Sequence, residues 1–183
     1  MLLRFCKSAN IMTFGFLTVA LVATIWGGAL TSVALAATPE VMIQNENDVR
    51  TVVKTEYSAD EKQALDLLNA DRASHGLKAL NLNPQLTALG ERYAQDMINR
   101  HFFAHNDPDG KSPFDRMHQA GIDYSYAGEN LAINSDIINA EKAFMNSPGH
   151  RSNILSPHYT DVGLGVGYDD RGSAYVVQEF ISN

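Results

Sequence analysis

The chain has 183 residues, 45% of them hydrophobic and 19% charged, the balance of a globular protein with one core rather than a repeat array or a disordered polymer. Its net charge of −7 argues against a nucleic-acid partner, whose phosphates must be met by Lys and Arg.

Arg4 and Lys7 precede a stretch from Ile11 to Leu30 without a charge, and the small-residue triplet Ala34-Leu35-Ala36 comes after it. That is the pattern of a secretory signal over residues 1–36, with cleavage expected after Ala36. The stretch also meets the roughly 20 residues that a membrane span needs, so an uncleaved anchor is the alternative. A buried core helix fits poorly, because nothing polar divides the stretch into faces. Either way the chain is expected to be secreted, periplasmic or in the cell envelope, touching a membrane only through this segment if it is retained. Without it, 12 Lys and Arg stand against 21 Asp and Glu, a net charge of −9. Cys6 precedes the apolar stretch, so it is neither a lipobox cysteine nor part of a disulfide framework. The exported part must therefore rest on its hydrophobic core, for which about 125 residues suffice.

Residues 37–57 are mostly polar without a sustained period and read as a linker. The domain is expected over 58–183. Ser58-Ala59-Asp60-Glu61 is a capping box that starts a helix burying Ala64, Leu65, Leu67 and Leu68 and stopping at Gly76. Asn83-Pro84 starts a second, whose stripe of Leu86, Leu89, Tyr93, Ala94, Met97 and Ile98 is core and runs to about His101. Ser112-Pro113 starts a short third helix that Gly121 ends. A fourth fits Asp136 to Asn146, with Ile137, Ala140 and Phe144 inward and Ser147-Pro148-Gly149 as a hard stop.

The period then changes. Val162, Leu164, Val166 and Tyr168 alternate with Gly163, Gly165 and Gly167, and a turn at Asp169–Gly172 leads into a second strand over 174–181. The glycines expose strand backbone on one face, where a helix can pack closely. A nucleotide-binding loop is excluded, since the strand–turn–helix context and the spacing of the last glycine are both wrong.

Three segments place a titratable group beside glycine or aromatic residues at the end of an element: Phe102–His105, Ala127–Ala132 and Ser147–Ile154. Two neutral imidazoles, His105 and His150, with one carboxylate, Glu129, make a usable ligand set for Zn²⁺ with a position left open. Glu129 has a second role open to it, fixing an imidazole tautomer. The bland alternative is a buried polar network tying helices to sheet. A helical metal pair of His101 and His105 requires the second helix to reach His105, and it is expected to fray before that. A serine nucleophile at Ser147 lacks its Gly-x-Ser-x-Gly elbow and is followed directly by proline. His75, His118 and His158 belong on surfaces or helix ends, and Arg151 is expected to pair with an acidic residue or with carbonyls of the Ser147–Gly149 turn.

The order of these segments resembles the CAP superfamily, also called the SCP or pathogenesis-related-1 domain, in its cysteine-free bacterial branch. Asn69-Ala70-Asp71-Arg72 with Gly76-Leu77, Leu80–Leu86, Asp161–Gly167 and Gln178-Glu179-Phe180 extend the likeness over about residues 60–182. The resemblance implies an α+β fold, a three-layer α-β-α sandwich with a small antiparallel sheet, and an open cleft lined by two histidines and two acidic residues. His105, Glu129 and His150 match three of these four, with Asn130, Ser147 and Arg151 as supports of the cleft. The fourth does not carry over: Phe144-Met145-Asn146-Ser147 puts Asn146 or Ser147 where eukaryotic members have a second glutamate. The resemblance thus leads to the expectation of an exported binding module for a metal, a lipid, a peptide or an envelope component. The alternative is a metal-assisted hydrolase of peptide or cell-wall substrates with Glu129 as general base.

Overall fold

The computed structural model describes residues 56–182. The expected export segment lies outside them, as does the expected linker except for its last two residues. Among the described residues no helix is long and apolar enough to cross a membrane.

The capping box at Ser58 forms as the sequence predicts. Glu61 N–H donates to the Ser58 hydroxyl at 3.1 Å and Ser58 N–H to the Glu61 carboxylate at 2.8 Å, and helix α1 runs over Ala59–Ser74. Asn83 caps α2, Pro84–Asn99, and Ser112 caps α3, Pro113–Gln119. All three helices end in one way. The residue after the C-cap is left-handed, and the next N–H reaches back to a carbonyl of the last turn: Leu77 to Arg72, Phe102 to Met97 and Ile122 to Met117. Glycine takes the left-handed position at Gly76 and Gly121, but in α2 it is His101, with φ 55°. The helix therefore closes at Asn99, and His101 turns the chain back toward the sheet.

Asp136 caps α4, Ile137–Asn146. The hard stop expected at Ser147–Gly149 is instead a corner: Ser147 ends α4 and precedes α5, Pro148–Ile154, because proline is favourable at a first helical position. Strand β2, Tyr126–Asn134, had no period-2 signal, since its middle is buried on both faces. A two-residue strand β1, Asn81–Leu82, and the expected hairpin of β3, Asp161–Tyr168, and β4, Ala174–Ser182, complete a sheet ordered β1-β3-β4-β2. The β1–β3 pair is parallel and the other two are antiparallel, so the sheet is mixed rather than antiparallel throughout.

Two helical layers cover the sheet. On one side α1, α4 and α5 bury Ala64, Leu68, Ala140, Phe144 and Ile154 against Val162, Leu164, Val176 and Phe180. On the other, α2 and α3 bury Leu86, Leu89, Tyr93, Met97 and Met117 against Leu131, Val177 and Ile181. The glycine alternation of β3 explains how close α2 comes. A Cβ on Gly163 would strike the backbone at Leu86, and one on Gly165 the backbone at Gly90. At Gly167 the nearest atom is the flexible end of Ile98, 2.9 Å away. Gly165→Ala is therefore expected to lower unfolding stability in urea by about 2–3 kcal/mol and Gly167→Ala by no more than about 1 kcal/mol; equal losses would contradict the close helix–strand contact.

Candidate functional site

The strand register builds the site. In β4, Val177, Glu179 and Ile181 face α2 and α3, while Val176, Gln178 and Phe180 face α1, α4 and α5, so each apolar face carries one polar interruption. β2 answers in register, with Glu129 beside Glu179 and Asn130 beside Gln178. Two carboxyl groups thus meet on one face and two amides on the other.

The carboxyl pair is deeply buried, Glu129 with 1% and Glu179 with none of its side chain exposed. Helix α3 supplies a guanidinium to the pair. Arg116 Nη2 binds Glu129 through a short hydrogen bond and lies 3.9 Å from Glu179. Its Nη1 donates to the carbonyl of His105 at 2.9 Å and that of Lys111 at 3.3 Å, and its guanidinium stacks 3.3 Å from the centre of the Tyr93 ring. The Tyr93 hydroxyl donates to the carbonyls of Ala104 and His105, at 2.6 and 3.0 Å. Burial, opposed by Arg116, pushes this phenol up to about 12, so it acts as a donor throughout the neutral range. Among the described residues neither oxygen of Glu179 has a hydrogen-bond partner. Burial first, then Glu129, raises its pKa well above the usual carboxylate value.

His105 stands at the mouth of this arrangement. Its Nδ1 lies 2.7 Å from Glu129 Oε1 while 54% of its side chain is exposed, so a solvent-facing imidazole is anchored on a buried carboxylate. The hydrogen bond to Glu129 raises the His105 pKa, against burial and Arg116. It also assigns the proton to Nδ1 and leaves Nε2 toward solvent. Two bonds from Arg116 and Tyr93 to its own carbonyl hold the loop that carries it.

His150 approaches from the other face, on α5. Asn130 Nδ2 donates to its backbone carbonyl at 3.1 Å, and its ring packs edge-on against Phe144. Burial, and then the charge of His105, lower its pKa. His105 and Glu129 are thus joined directly, whereas Asn130 ties down only the main chain of His150. Among the described residues no three His, Cys, Asp or Glu side chains are gathered as a ready metal site. Glu129 already has its oxygens on His105 and Arg116.

The remaining candidates sit elsewhere. His101 is outside α2, so it forms no helical pair with His105. Ser147 makes no side-chain cap bond. Arg151 lies 3.3 Å from His75 Nε2 rather than on an acidic residue, and it lines a cavity of ≈ 590 Å³ on the outer side of α5 with Met145, Pro148 and Leu155. Asn69 and Arg72 are structural: Asn69 pairs with both backbone groups of Leu80, and Arg72 binds the carbonyls of Lys78, Ile154 and Ser156. Sequence reasoning missed Arg116 and the roles of Glu179 and Tyr93. The signal for Glu179 was a carboxyl between Val177 and Ile181 on one strand face; Arg116, on a seven-residue helix, gave none.

The cysteine-rich secretory protein (CAP) family model matches residues 65–180. The chain belongs to the CAP family. YkwD of Bacillus subtilis is 40% identical over 137 residues, 74% of this chain and 52% of YkwD. Among solved structures, an extracellular SCP-domain protein from Bacillus anthracis is 30% identical with a TM-score of 0.63, over 68% of this chain and 40% of that protein. NaASP2, whose crystal structure was determined with Zn²⁺, shares the fold at 15% identity and a TM-score of 0.50, over 69% of this chain and 82% of that one. This CAP chain spans about half the length of YkwD and less than half that of the Bacillus anthracis protein.

Glu129→Gln is expected to lower the His105 pKa, read from the pH dependence of its imidazole NMR signal. Because the folded pKa of His105 is raised, its contribution to stability is full below the unfolded value of 6.5 and fades as pH rises through the folded one; the variant loses that contribution. An unchanged midpoint would remove Glu129 as the cause.

Proposed function

We propose that this CAP domain is an exported binding module whose cleft offers the ring nitrogens of His105 and His150 to a ligand: a divalent metal ion, or the polar group of a lipid, a peptide or an envelope component. The observation that carries the reading is the exposed His105 held by its Nδ1 on buried Glu129. A histidine fixed in one tautomer by a carboxylate presents its other nitrogen at a defined angle, the arrangement that stands behind many metal-bound imidazoles. His150, with its lowered pKa, supplies a neutral ring opposite it. Export is supported by the N-terminal signal pattern and by the extracellular relative from Bacillus anthracis.

The donor set fits a zinc-like ion through the two imidazoles, with Glu129 behind His105 rather than at the ion. The Zn²⁺ in the NaASP2 structure makes zinc the first ion to test. The burial of the Glu129 side chain, 1% exposed, supports binding over hydrolysis, since a general base must reach the attacking water. Calorimetric titration of the purified protein with Zn²⁺ is expected to show binding that tightens as pH rises and His105 loses its proton, and that weakens at least about tenfold in His105→Ala and in His150→Ala. Heats indistinguishable between these variants and the parent would end the metal form of the reading. A chelator-sensitive release of peptides from casein, lost in Glu129→Gln, would replace binding with hydrolysis.

A further inference from the structure

The apolar stripe of α4 is broken by one charged residue. Glu141 lies between inward-facing Ala140 and Phe144 and is itself 5% exposed. Gln178 Nε2 donates to its Oε2 at 2.7 Å, and its Oε1 has no hydrogen-bond partner among the described residues. From Gln178 a chain of side-chain amides crosses the sheet. Gln178 Oε1 accepts from Asn130 Nδ2 at 2.9 Å, and that same nitrogen donates to the carbonyl of His150 at 3.1 Å. Asn130 Oδ1 in turn accepts from Asn153 Nδ2 at 2.8 Å, which also donates to the carbonyl of Glu129 at 3.3 Å.

We propose that Glu141 is a positioning residue for His150: as the terminal acceptor it sets the sense of this amide chain and so holds the start of α5 against β2. An amide has one accepting and one donating end, and a carboxylate offers oxygens only. Facing Glu141, Gln178 must present its NH₂, which turns its oxygen to Asn130 and requires the Asn130 NH₂ in return. That NH₂ is what serves the His150 carbonyl. In the reversed sense Asn130 would turn its oxygen toward a carbonyl it cannot bond, leaving two acceptors face to face in the core. An apolar side chain at 141 would remove the choice between the two senses.

Burial, against the hydrogen bond from Gln178 and with a smaller push from Asp71, takes the Glu141 carboxyl up to about 7. The charged groups on the elements packed around it are otherwise engaged. Arg72 of α1 is bound to three carbonyls, and on α5 Arg151 lies on His75 while His150 packs on Phe144. The sheet turns Gln178 and Asn130 toward it, with Glu129 and Glu179 on the opposite face. A carboxylate accepts more strongly than a neutral acid, so the chain tightens as Glu141 ionises. Global stability moves the other way: a raised carboxyl pKa gives stability that is full below the ordinary value of 4.5 and lost as pH rises through about 7.

The inference rests on the reading of His150 as a wall of the cleft, but its test uses the ligand-free protein, so it stands or falls apart from zinc binding. In ¹⁵N-labelled protein, the side-chain amide signals of Gln178, Asn130 and Asn153 and the backbone signal of His150 are expected to shift with one shared midpoint near pH 7. Glu141→Gln, which keeps an accepting oxygen, should abolish the midpoint and leave these signals at their high-pH positions. Glu141→Leu should displace the Asn130 and His150 signals at every pH. The proposal is overturned if the wild-type amides do not respond to pH, if the transition persists in Glu141→Gln, or if a folded Glu141→Leu protein keeps the wild-type signals.

Discussion

Two carboxyl groups face each other where β2 and β4 pair, and a single guanidinium answers them. Arg116 is 8% exposed, Glu129 and Glu179 less so, and its guanidinium reaches both carboxyl groups. Burial and the neighbouring Glu129 raise the Glu179 pKa, and Arg116 directs its strong hydrogen bond to Glu129. That choice determines the rest of the site. Glu129 is left with one oxygen for His105, and Arg116 with one nitrogen for the backbone of the loop that carries His105. Tyr93 closes the arrangement, its ring under the guanidinium and its hydroxyl on the same loop.

The sheet keeps this ionic cluster apart from a second polar cluster of different character. Asn130 and Gln178 occupy the neighbouring register position, and neighbours along a strand point to opposite faces. One side of the edge strand is thus governed by charge and the other by amides, and each ties down one histidine. His105 arrives by a charged anchor and His150 by a bond to its main chain. Packing stays tight because α2 approaches β3 through the gap its glycines leave, which fixes the Tyr93 ring under the Arg116 guanidinium.

Helix starts were legible because caps are local chemistry. Ser58, Asn83, Ser112 and Asp136 each announce a helix with a side chain that bonds the first turn. The hairpin was legible from the alternation of Gly163, Gly165 and Gly167. Strand β2 was not, because burial on both faces erases the alternation on which a strand reading depends. At Ser147-Pro148 two opposite meanings of proline, a stop and a first helical residue, could not be told apart without knowing where the chain goes next. The histidines and Glu129 stood out through their segments and family resemblance. Arg116 and Glu141 did not, because a charged residue on a short or amphipathic helix reads as solvated until its tertiary neighbours are known.

Arg116 and Glu129 act as one unit in the buried floor beneath His105. A double-mutant cycle tests it most directly, with urea unfolding of the parent, Arg116→Met, Glu129→Gln and the double variant at neutral pH. The double variant is expected to be more stable than the sum of the single losses allows, with a coupling of about 2 kcal/mol or more, because each single change strands its partner in the core. Losses that add to within about 0.5 kcal/mol would show two independent residues and contradict it.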